Sequence, residues 1–276
     1  MNVKIVADSS ANLPCLTGIA YASVPLKIVT DEKEYVDDEA LDTVAMVSEL
    51  EAYKGRSGTA CPSVGDWVEA FGDAEYVFTI AITSNLSGSH NAAVQAKQVY
   101  EELHPDRRVC CLDSLSTGPE MVLIAEKLRE LIDEGLDFDA VQTQIREYMK
   151  KTHLLFSLES LNNLARNGRV SKVAATAAGI LGIRVVGKAS DVGTLQQMHK
   201  CRGEKKAMTT IVEEMKNHGF TGGKVRIAHG LNEKGAQALL ELIRSEFPHV
   251  QAEIAPCGAL CCFYAERGGL LIGFEG

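Results

Sequence analysis

The sequence lacks an apolar run long enough to cross a membrane. None of its hydrophobic stretches reaches the roughly 18–20 residues that a bilayer-spanning helix needs. Its start, MNVKIVADSS, also lacks the long apolar core and the small-residue cleavage site of a secretion signal. From these two absences we expect a cytoplasmic protein.

Positive charge is also in short supply. The 276 residues include 28 Lys and Arg against 37 Asp and Glu, which gives a formal net charge of −9. A chain with this balance repels nucleic acid and anionic surfaces unless folding assembles a basic patch. The composition therefore predicts no nucleic-acid partner.

Cysteine is not scarce, but its spacing lacks the pattern of a metal site. The densest group among the eight cysteines is Cys257, Cys261 and Cys262. No CxxC pair and no nearby histidine completes a tetrahedral ligand set around them. We expect reduced thiols, no metal and no disulfide framework.

The motifs of two common enzyme classes are missing. No GxGxxG or GxxxxGK[ST] follows the first predicted strand, which argues against a nucleotide site. No GxSxG nucleophile elbow occurs, and the histidine nearest to Ser87 is His90, whereas a catalytic base normally comes from a distant segment. A serine-dependent hydrolase of a lipid or small ester, using Ser87 or Ser84, is the alternative function.

Strand-length apolar runs alternate with amphipathic helical segments along the chain. Residues 3–7, 76–82 and 108–112 are predicted strands, and 22–29 is a further candidate at a sheet edge because it contains Pro25. This alternation predicts an α/β fold, with a mostly parallel sheet and helices on both faces in the N-terminal half. A second series follows residue 152 and includes paired strands, which indicates a C-terminal α/β domain with a mixed sheet. We place the two domains at 1–151 and 152–276.

Hydroxyl side chains gather in loops that follow the predicted strands. The loops are 8–10 (DSS), 59–63 (TACPS), 83–89 (TSNLSGS) and 113–118 (DSLSTG). Taken singly, each is best explained as the cap of the next helix. Since ligands of open α/β sheets bind beyond the carboxyl ends of the strands, the four loops together predict a neutral, donor-rich anion site at one edge of one sheet. A small carboxylate or a phosphate would each fit such a site.

These loops resemble the signature segments of the DegV family, the fatty-acid-binding proteins of bacteria. In chain order, the matching segments are DSSANLP at 8–14, TACPS at 59–63, SNLSGSHNAA at 84–93, DSLSTG at 113–118 and LLFSLESLNNLARNGRVSK at 154–172. Each motif alone is loose, but five in the right order are specific. The resemblance implies a two-domain binding protein, not an enzyme, that holds a long-chain fatty acid between its domains and uses no cofactor. It also implies, for some members, a role as the binding subunit of a fatty acid kinase whose separate catalytic subunit phosphorylates the bound carboxylate.

The resemblance also implies which residues hold the ligand. Thr59 and Ser87 would bind the carboxylate, and Arg169 would lie near the head group. A histidine that is common in the family's C-terminal segment is replaced here by Tyr264 or a neighbour, and a tyrosine can donate a hydrogen bond but cannot be a cation. The full ligand-binding set is Thr59, Ser87, Ser63, Ser84, Ser89, Arg169 and Tyr264.

The tail of such a ligand would need an apolar tunnel. A C16–C18 chain buried at about 0.8 kcal/mol per methylene gains on the order of 12 kcal/mol before the costs of binding, so the tail dominates affinity. The small-residue segment 174–182 (AATAAGILG) either lets the tail pass or forms a tightly packed helix. Membrane contact would be transient, for lipid exchange only.

Overall fold

Three β-sheets organise the part of the chain that the computed structural model describes, residues 2–171 and 182–276. The strands are β1 Val3–Asp8, β2 Ala20–Val24, β3 Lys27–Thr30, β4 Glu34–Val36, β5 Ser57–Ala60, β6 Tyr76–Ala81, β7 Arg108–Asp113, β8 Thr152–Leu158, β9 Ile183–Ala189, β10 Leu195–Arg202, β11 Lys224–His229, β12 Gln251–Pro256 and β13 Leu270–Glu275. The helices described are α1 Thr43–Ala52, α2 Val64–Phe71, α3 Ser89–Leu103, α4 Pro119–Asp133, α5 Phe138–Met149, α6 Asn162–Arg166, α7 Glu204–Asn217, α8 Glu233–Glu246 and α9 Ala259–Ala265. None of these helices combines the length and the hydropathy needed to span a bilayer.

The first sheet has the order β2-β1-β6-β7, and every pairing in it is parallel. Alternate residues of β1 face opposite ways, as strand geometry requires. Ile5 and Ala7 pack with α4 and α5, whereas Val6 packs with Trp67 of α2 and with α3. The predicted parallel sheet with helices on both faces is confirmed.

The second sheet is small and was not predicted. It has the order β4-β3-β5 and is antiparallel. The single strand expected at 22–29 is wrong, because β2 ends at Val24 and β3 begins at Lys27 in this other sheet. Pro25 has no N–H to donate to a ladder, so the chain leaves the parallel sheet there, and β2 remains an edge strand.

The third sheet has the order β10-β9-β8-β13-β11-β12. Only β11 and β12 pair in parallel, and the other pairings are antiparallel, so the predicted mixed sheet is confirmed. Its first strand in the chain begins at Thr152. The division into domains at 1–151 and 152–276 stays a prediction.

Helix α4 lies between the first and third sheets and contacts strands of both. Its start approaches β13 at Gly273, where a Cβ would lie 2.5 Å from the backbone nitrogen of Glu120, so only glycine allows this approach. Arg226 of β11 binds Glu126 of α4 through two 2.8 Å hydrogen bonds. This shared helix brings the carboxyl-end loops of the first sheet next to one face of the third.

Candidate functional site

An apolar cavity lies between the loops of the first sheet and the face of the third sheet. The unfilled space among its side chains, the open mouth included, is about 650 Å³. Leucines from three elements, Leu158 of β8, Leu271 of β13 and Leu260 of α9, form part of its wall. The predominantly apolar wall suits a hydrocarbon chain better than a phosphate.

Strand periodicity explains why β8 contributes so much of the wall. Leu154, Phe156 and Leu158 are separated by two positions each and all line the cavity. Leu155, between them, points the other way into a hydrophobic cluster under α7 and α8. One apolar run therefore builds the cavity with one face and a packed core with the other.

Polar side chains meet at one part of this cavity. Thr59, Ser87, Arg169 and Tyr264 all line it, so the structure brings together four of the seven predicted residues from four separate segments. The hydroxyl oxygens of Thr59 and Tyr264 are 2.8 Å apart. The guanidinium of Arg169 lies 5.7 Å from the centre of the Tyr264 ring. Of the described residues that line the cavity, Arg169 alone carries a charge.

Arg169 is held by backbone carbonyls at the end of α6. Gly168 has a left-handed φ of +75°, which ends the helix and turns the chain toward the cavity. Nε of Arg169 donates to the carbonyl of Leu86 at 3.3 Å, and Nη1 donates to that of Asn167 at 2.5 Å. Counting partners among the described residues, these bonds engage two of the five N–H donors of a guanidinium, so the others can bind an anion.

Tyr264 is a hydrogen-bond donor at neutral pH. Burial raises the pKa of its phenol, although the hydrogen bond with Thr59 and the charge of Arg169 act in the opposite direction. A protonated phenol and the hydroxyl of Thr59 can both turn their protons toward an anion. The pair therefore suits a carboxylate head group.

The buried carboxylate of Asp8 stabilises the loop that carries Ser87, through Ser89. Oγ of Ser87 accepts the N–H of Ser89 at 3.3 Å at the start of α3. Oγ of Ser89 donates to Asp8 at 2.6 Å, and the N–H of Ile82 donates to the same oxygen at 2.9 Å. Burial raises the pKa of Asp8 to about 6, against the effect of these bonds. Ser89 thus secures the loop that carries Ser87 and does not itself line the cavity.

Ser63 and Ser84 also lie outside the cavity wall. Ser63 caps α2, because its Oγ accepts the N–H of Asp66 at 3.2 Å while the Asp66 carboxylate accepts the N–H of Ser63 at 2.7 Å. Ser84 is exposed, and its N–H donates to Asp113 at 3.1 Å. The ligand contacts expected of Ser63, Ser84 and Ser89 stay predictions without support from this geometry.

Thr59 reaches the site by another route than the sequence suggested. We expected all four hydroxyl loops at the edge of one sheet, but Thr59 lies on β5 of the three-stranded sheet. The loop after β5 still meets the loop before α3, since a Cβ on Gly88 would lie 3.2 Å from Sγ of Cys61. The short strand SGTA has no apolar alternation, which is why the sequence pattern did not reveal it.

Thr117 and Cys261 line the cavity but were not predicted as site residues. Their side chains are 3.8 Å apart, and Sγ of Cys261 lies 3.5 Å from the carbonyl oxygen of Ser10. Thr117 belongs to the hydroxyl loop 113–118, which was the available signal. Nothing in the sequence alone marked Cys261.

Within residues 2–171 and 182–276, no group of three or more His, Cys, Asp or Glu side chains is arranged to hold a metal ion. The small-residue segment 174–182, considered above as a path for a lipid tail, lies outside the described residues except for Gly182.

Comparison with known proteins gives one family over nearly the whole chain. Residues 2–275 match the model of the DegV family of uncharacterised proteins. A DegV domain-containing protein of Streptococcus pneumoniae is 45% identical over 279 residues, which cover 100% of this chain and 99% of that protein.

Two solved structures are similar over their full length. A DegV family protein from Eubacterium eligens, loaded with heptadecanoic acid, is 45% identical with a TM-score of 0.97 and covers 99% of each chain. The fatty acid kinase (Fak) B3 protein of Streptococcus pneumoniae, loaded with linoleic acid, is 44% identical with a TM-score of 0.97 and covers 100% of this chain and 99% of that one.

Proposed function

The chain belongs to the DegV family, and from that premise we propose that it binds a long-chain fatty acid in the cavity between its first and third sheets. The observation that carries the proposal is a narrow apolar cavity whose few polar lining groups are hydroxyls and one guanidinium. Relatives that are 44–45% identical were solved with fatty acids bound. A fatty acid has an apolar chain and a single anionic group, which match the apolar wall of the cavity and its polar lining groups.

The head group would lie among Thr59, Ser87, Arg169 and Tyr264. Three hydroxyls can each donate one hydrogen bond to a carboxylate, and such charge-assisted bonds contribute about 1.5–3 kcal/mol each. Arg169 adds a positive charge close to the Tyr264 ring. The acyl chain would extend along the alternate residues of β8, with the predicted units 1–151 and 152–276 on either side.

The geometry supports binding over hydrolysis. Oγ of Ser87 accepts a backbone N–H, and Nδ1 of His90 is buried without a hydrogen-bond partner among the described residues. Among the described residues, no base is hydrogen-bonded to Ser87, as a nucleophilic serine would require. The apolar wall likewise disfavours a small polar anion as the ligand.

We further propose that the protein has a kinase partner. The likeness to the Streptococcus pneumoniae fatty acid kinase B3 protein supports a role in which this chain delivers its bound fatty acid to a separate kinase. In that role it would work in the cytoplasm and touch membranes only to exchange lipid.

Mass spectrometry of organic extracts from the purified protein tests the binding. We expect long-chain fatty acid at near one molecule per chain, and we expect the delipidated protein to rebind palmitate or oleate. Ser87→Ala should weaken rebinding about tenfold or more, because it removes one charge-assisted donor. Ser84→Ala is the matched control and should behave as the unchanged protein, since Ser84 is exposed and outside the cavity. A preparation free of lipid that also refuses added palmitate and oleate would defeat the proposal.

The unchanged protein, Ser87→Ala and Ser84→Ala, each loaded with fatty acid, also test the kinase step. With ATP, a fatty acid kinase catalytic subunit and loaded protein, we expect acyl phosphate, and we expect none when the catalytic subunit is left out. Acyl phosphate formed by this chain alone would contradict the assigned role, as would an equal rate with and without this chain.

A further inference from the structure

The floor of the cavity contains an aromatic ring that faces a glycine. Phe156 of β8 pairs directly with Gly187 of β9 in the antiparallel ladder. Gly187 shares the cavity-side face of β9 with Val185 and Ala189, both of which pack in the cluster that contains Phe156. The floor next to Phe156 is therefore built of small or absent side chains.

The Phe156 ring lies over the space that a side chain at Gly187 would fill. A Cβ built on Gly187 would overlap the ring, with Cε2 only 2.7 Å away, and it would also overlap the carbonyl oxygen of Gln196. The ring is buried and forms part of the cavity wall. Its low position is possible only because residue 187 has no side chain.

We infer that Phe156 and Gly187 together are a specificity determinant that sets which acyl-chain shapes the cavity accepts. This inference rests on the proposed fatty acid binding and deepens it. The Phe156 ring limits the width of the cavity beside one part of the acyl chain. Because Gly187 has no side chain, the ring can lie against the β9 backbone and does not protrude into the cavity. Straight chains pass over such a floor, whereas a bend or branch at that point requires more depth.

A shorter side chain at position 156 should widen the cavity, because no neighbouring side chain fills the space that the ring leaves. In Phe156→Leu, the space above Gly187 opens, and no side chain at 187 can refill it. A cis double bond placed over this point gains room, while a straight chain gains none and loses contact with the ring. Differences of about one methylene in a hydrophobic pocket change affinity several-fold.

The experiment is a competition among C16 acids on delipidated protein. An equimolar mixture of palmitate and cis-hexadecenoic acids with the double bond at different positions is added, and the bound lipids are extracted and quantified by mass spectrometry. For Phe156→Leu we expect at least one cis isomer to be enriched over palmitate about fivefold relative to the unchanged protein. The position of the most enriched isomer reports where the ring lies along the chain.

The matched control is Phe274→Leu. Phe274 is a fully buried phenylalanine of the same sheet, but it packs on the opposite face, under the helices. It should alter stability and leave the ratio of bound isomers unchanged. A ratio that shifts equally in both variants, or in neither, overturns the inference.

A second variant separates the ring from the backbone. Gly187→Ala should reduce loading with all C16 acids, because the ring must rise into the lumen. Adding Phe156→Leu to it should restore part of the loading, whereas a loss caused only by the clash with the Gln196 carbonyl would persist. If the unchanged protein loads no fatty acid at all, the proposed function fails. If it loads and the ratios stay fixed, only the specificity determinant fails.

Discussion

Tyr264 places a single hydroxyl on a helix whose other cavity-facing side chains include Leu260 and Ala265. That hydroxyl lies 2.8 Å from Oγ1 of Thr59. Since its pKa is raised by burial, the phenol keeps its proton and can donate to a carboxylate. It cannot supply the positive charge that a histidine could, so Arg169 is left as the charged group of the described lining.

Replacing Tyr264 by Phe should weaken fatty acid binding about tenfold or more. The lost charge-assisted hydrogen bond is worth about 1.5–3 kcal/mol. The fatty acid methyl ester should lose less, because its head group is uncharged. Titration calorimetry or displacement of a fluorescent fatty acid measures both. Tyr21→Phe is the control, since the Tyr21 hydroxyl donates to the carbonyl of Leu13 at 2.8 Å, away from the cavity. Equal losses for acid and ester would refute a head-group role for Tyr264.

Motifs in the sequence predicted some of the cavity-lining residues, but they did not show which of several serines faces the cavity. Thr59, Ser87 and Arg169 could be identified because hydroxyl-rich or Gly-Arg segments of the sequence resemble a family. Ser63 and Ser89 have the same side chain as Ser87, yet one caps α2 and the other binds Asp8. Which of several serines faces a cavity depends on where the flanking helix begins, and composition does not determine that.

At the scale of elements, the β9–β10 hairpin reaches across from the third sheet to the first. Its strand β10 begins with Leu195, which lines the cavity. In its turn, the carbonyl of Val192 accepts a 2.6 Å hydrogen bond from Nδ2 of Asn85. Gly193 has a φ of +74°, and a Cβ there would overlap the Thr83 hydroxyl and lie 3.0 Å from Cα of Leu115. The close seating of this turn on two loops therefore requires glycine.

We expect Gly193→Ala to lift the hairpin from the first sheet and to speed fatty acid release several-fold. Release is measured by transfer of a fluorescent fatty acid from the loaded protein to excess acceptor vesicles. Gly135→Ala is a closely matched control, because Gly135 has a φ of +79° and nothing lies within 4 Å of its Cβ position. Both variants should lose about 1–2 kcal/mol of stability from the left-handed backbone. Gly193→Ala should lose more because its Cβ meets Thr83 and Leu115, and it alone should change the release rate. Equal release rates would show that the hairpin does not restrain the ligand.

Strong apolar strands were predictable, and weak or interrupted ones were not. β1, β6 and β7 were recognised because each is a run of buried apolar residues before a helix. The antiparallel pair β9 and β10 corresponds to the paired strands expected after residue 152, although most residues of β10 are not buried. β5 consists of Ser, Gly, Thr and Ala, so its pairing with β3 depends on the sheet and not on its own pattern. The break at Pro25 looked like an edge-strand proline, because sequence does not reveal that the next residues join another sheet.

For the molecule as a whole, the contact between the two larger sheets passes through helix α4 and a buried acid. Glu120, in the first turn of α4, is 5% exposed and accepts a 2.8 Å hydrogen bond from Oγ1 of Thr152 at the start of β8. Burial raises its pKa to about 7, and the hydrogen bond from Thr152 only partly opposes this. The joint between the sheets thus contains a carboxyl that ionises near neutral pH.

The raised pKa makes stability fall as pH rises. Below about pH 4.5 the carboxyl is protonated in both the folded and the unfolded chain, so burial carries no charge penalty. Between about pH 4.5 and 7 the Glu120 carboxyl ionises in the unfolded chain but stays largely protonated in the folded chain. Stability is therefore lost as the pH rises through this range. Raising the pKa of Glu120 from 4.5 to about 7 corresponds to a loss of about 3 kcal/mol of stability at alkaline pH.

Glu120→Gln should therefore stabilise the delipidated protein by about 2–3 kcal/mol at pH 8.5 and by about 1 kcal/mol or less at pH 5. Glutamine keeps an oxygen to accept the Thr152 hydroxyl and removes the charge. Urea denaturation at both pH values measures the difference, and every other titrating group is common to the two proteins. Glu134→Gln, at the exposed end of the same helix, should follow the unchanged protein at both pH values. If Glu120→Gln gave the same shift at pH 5 as at pH 8.5, the effect would come from packing and not from ionisation. The junction of the two sheets would then be indifferent to pH.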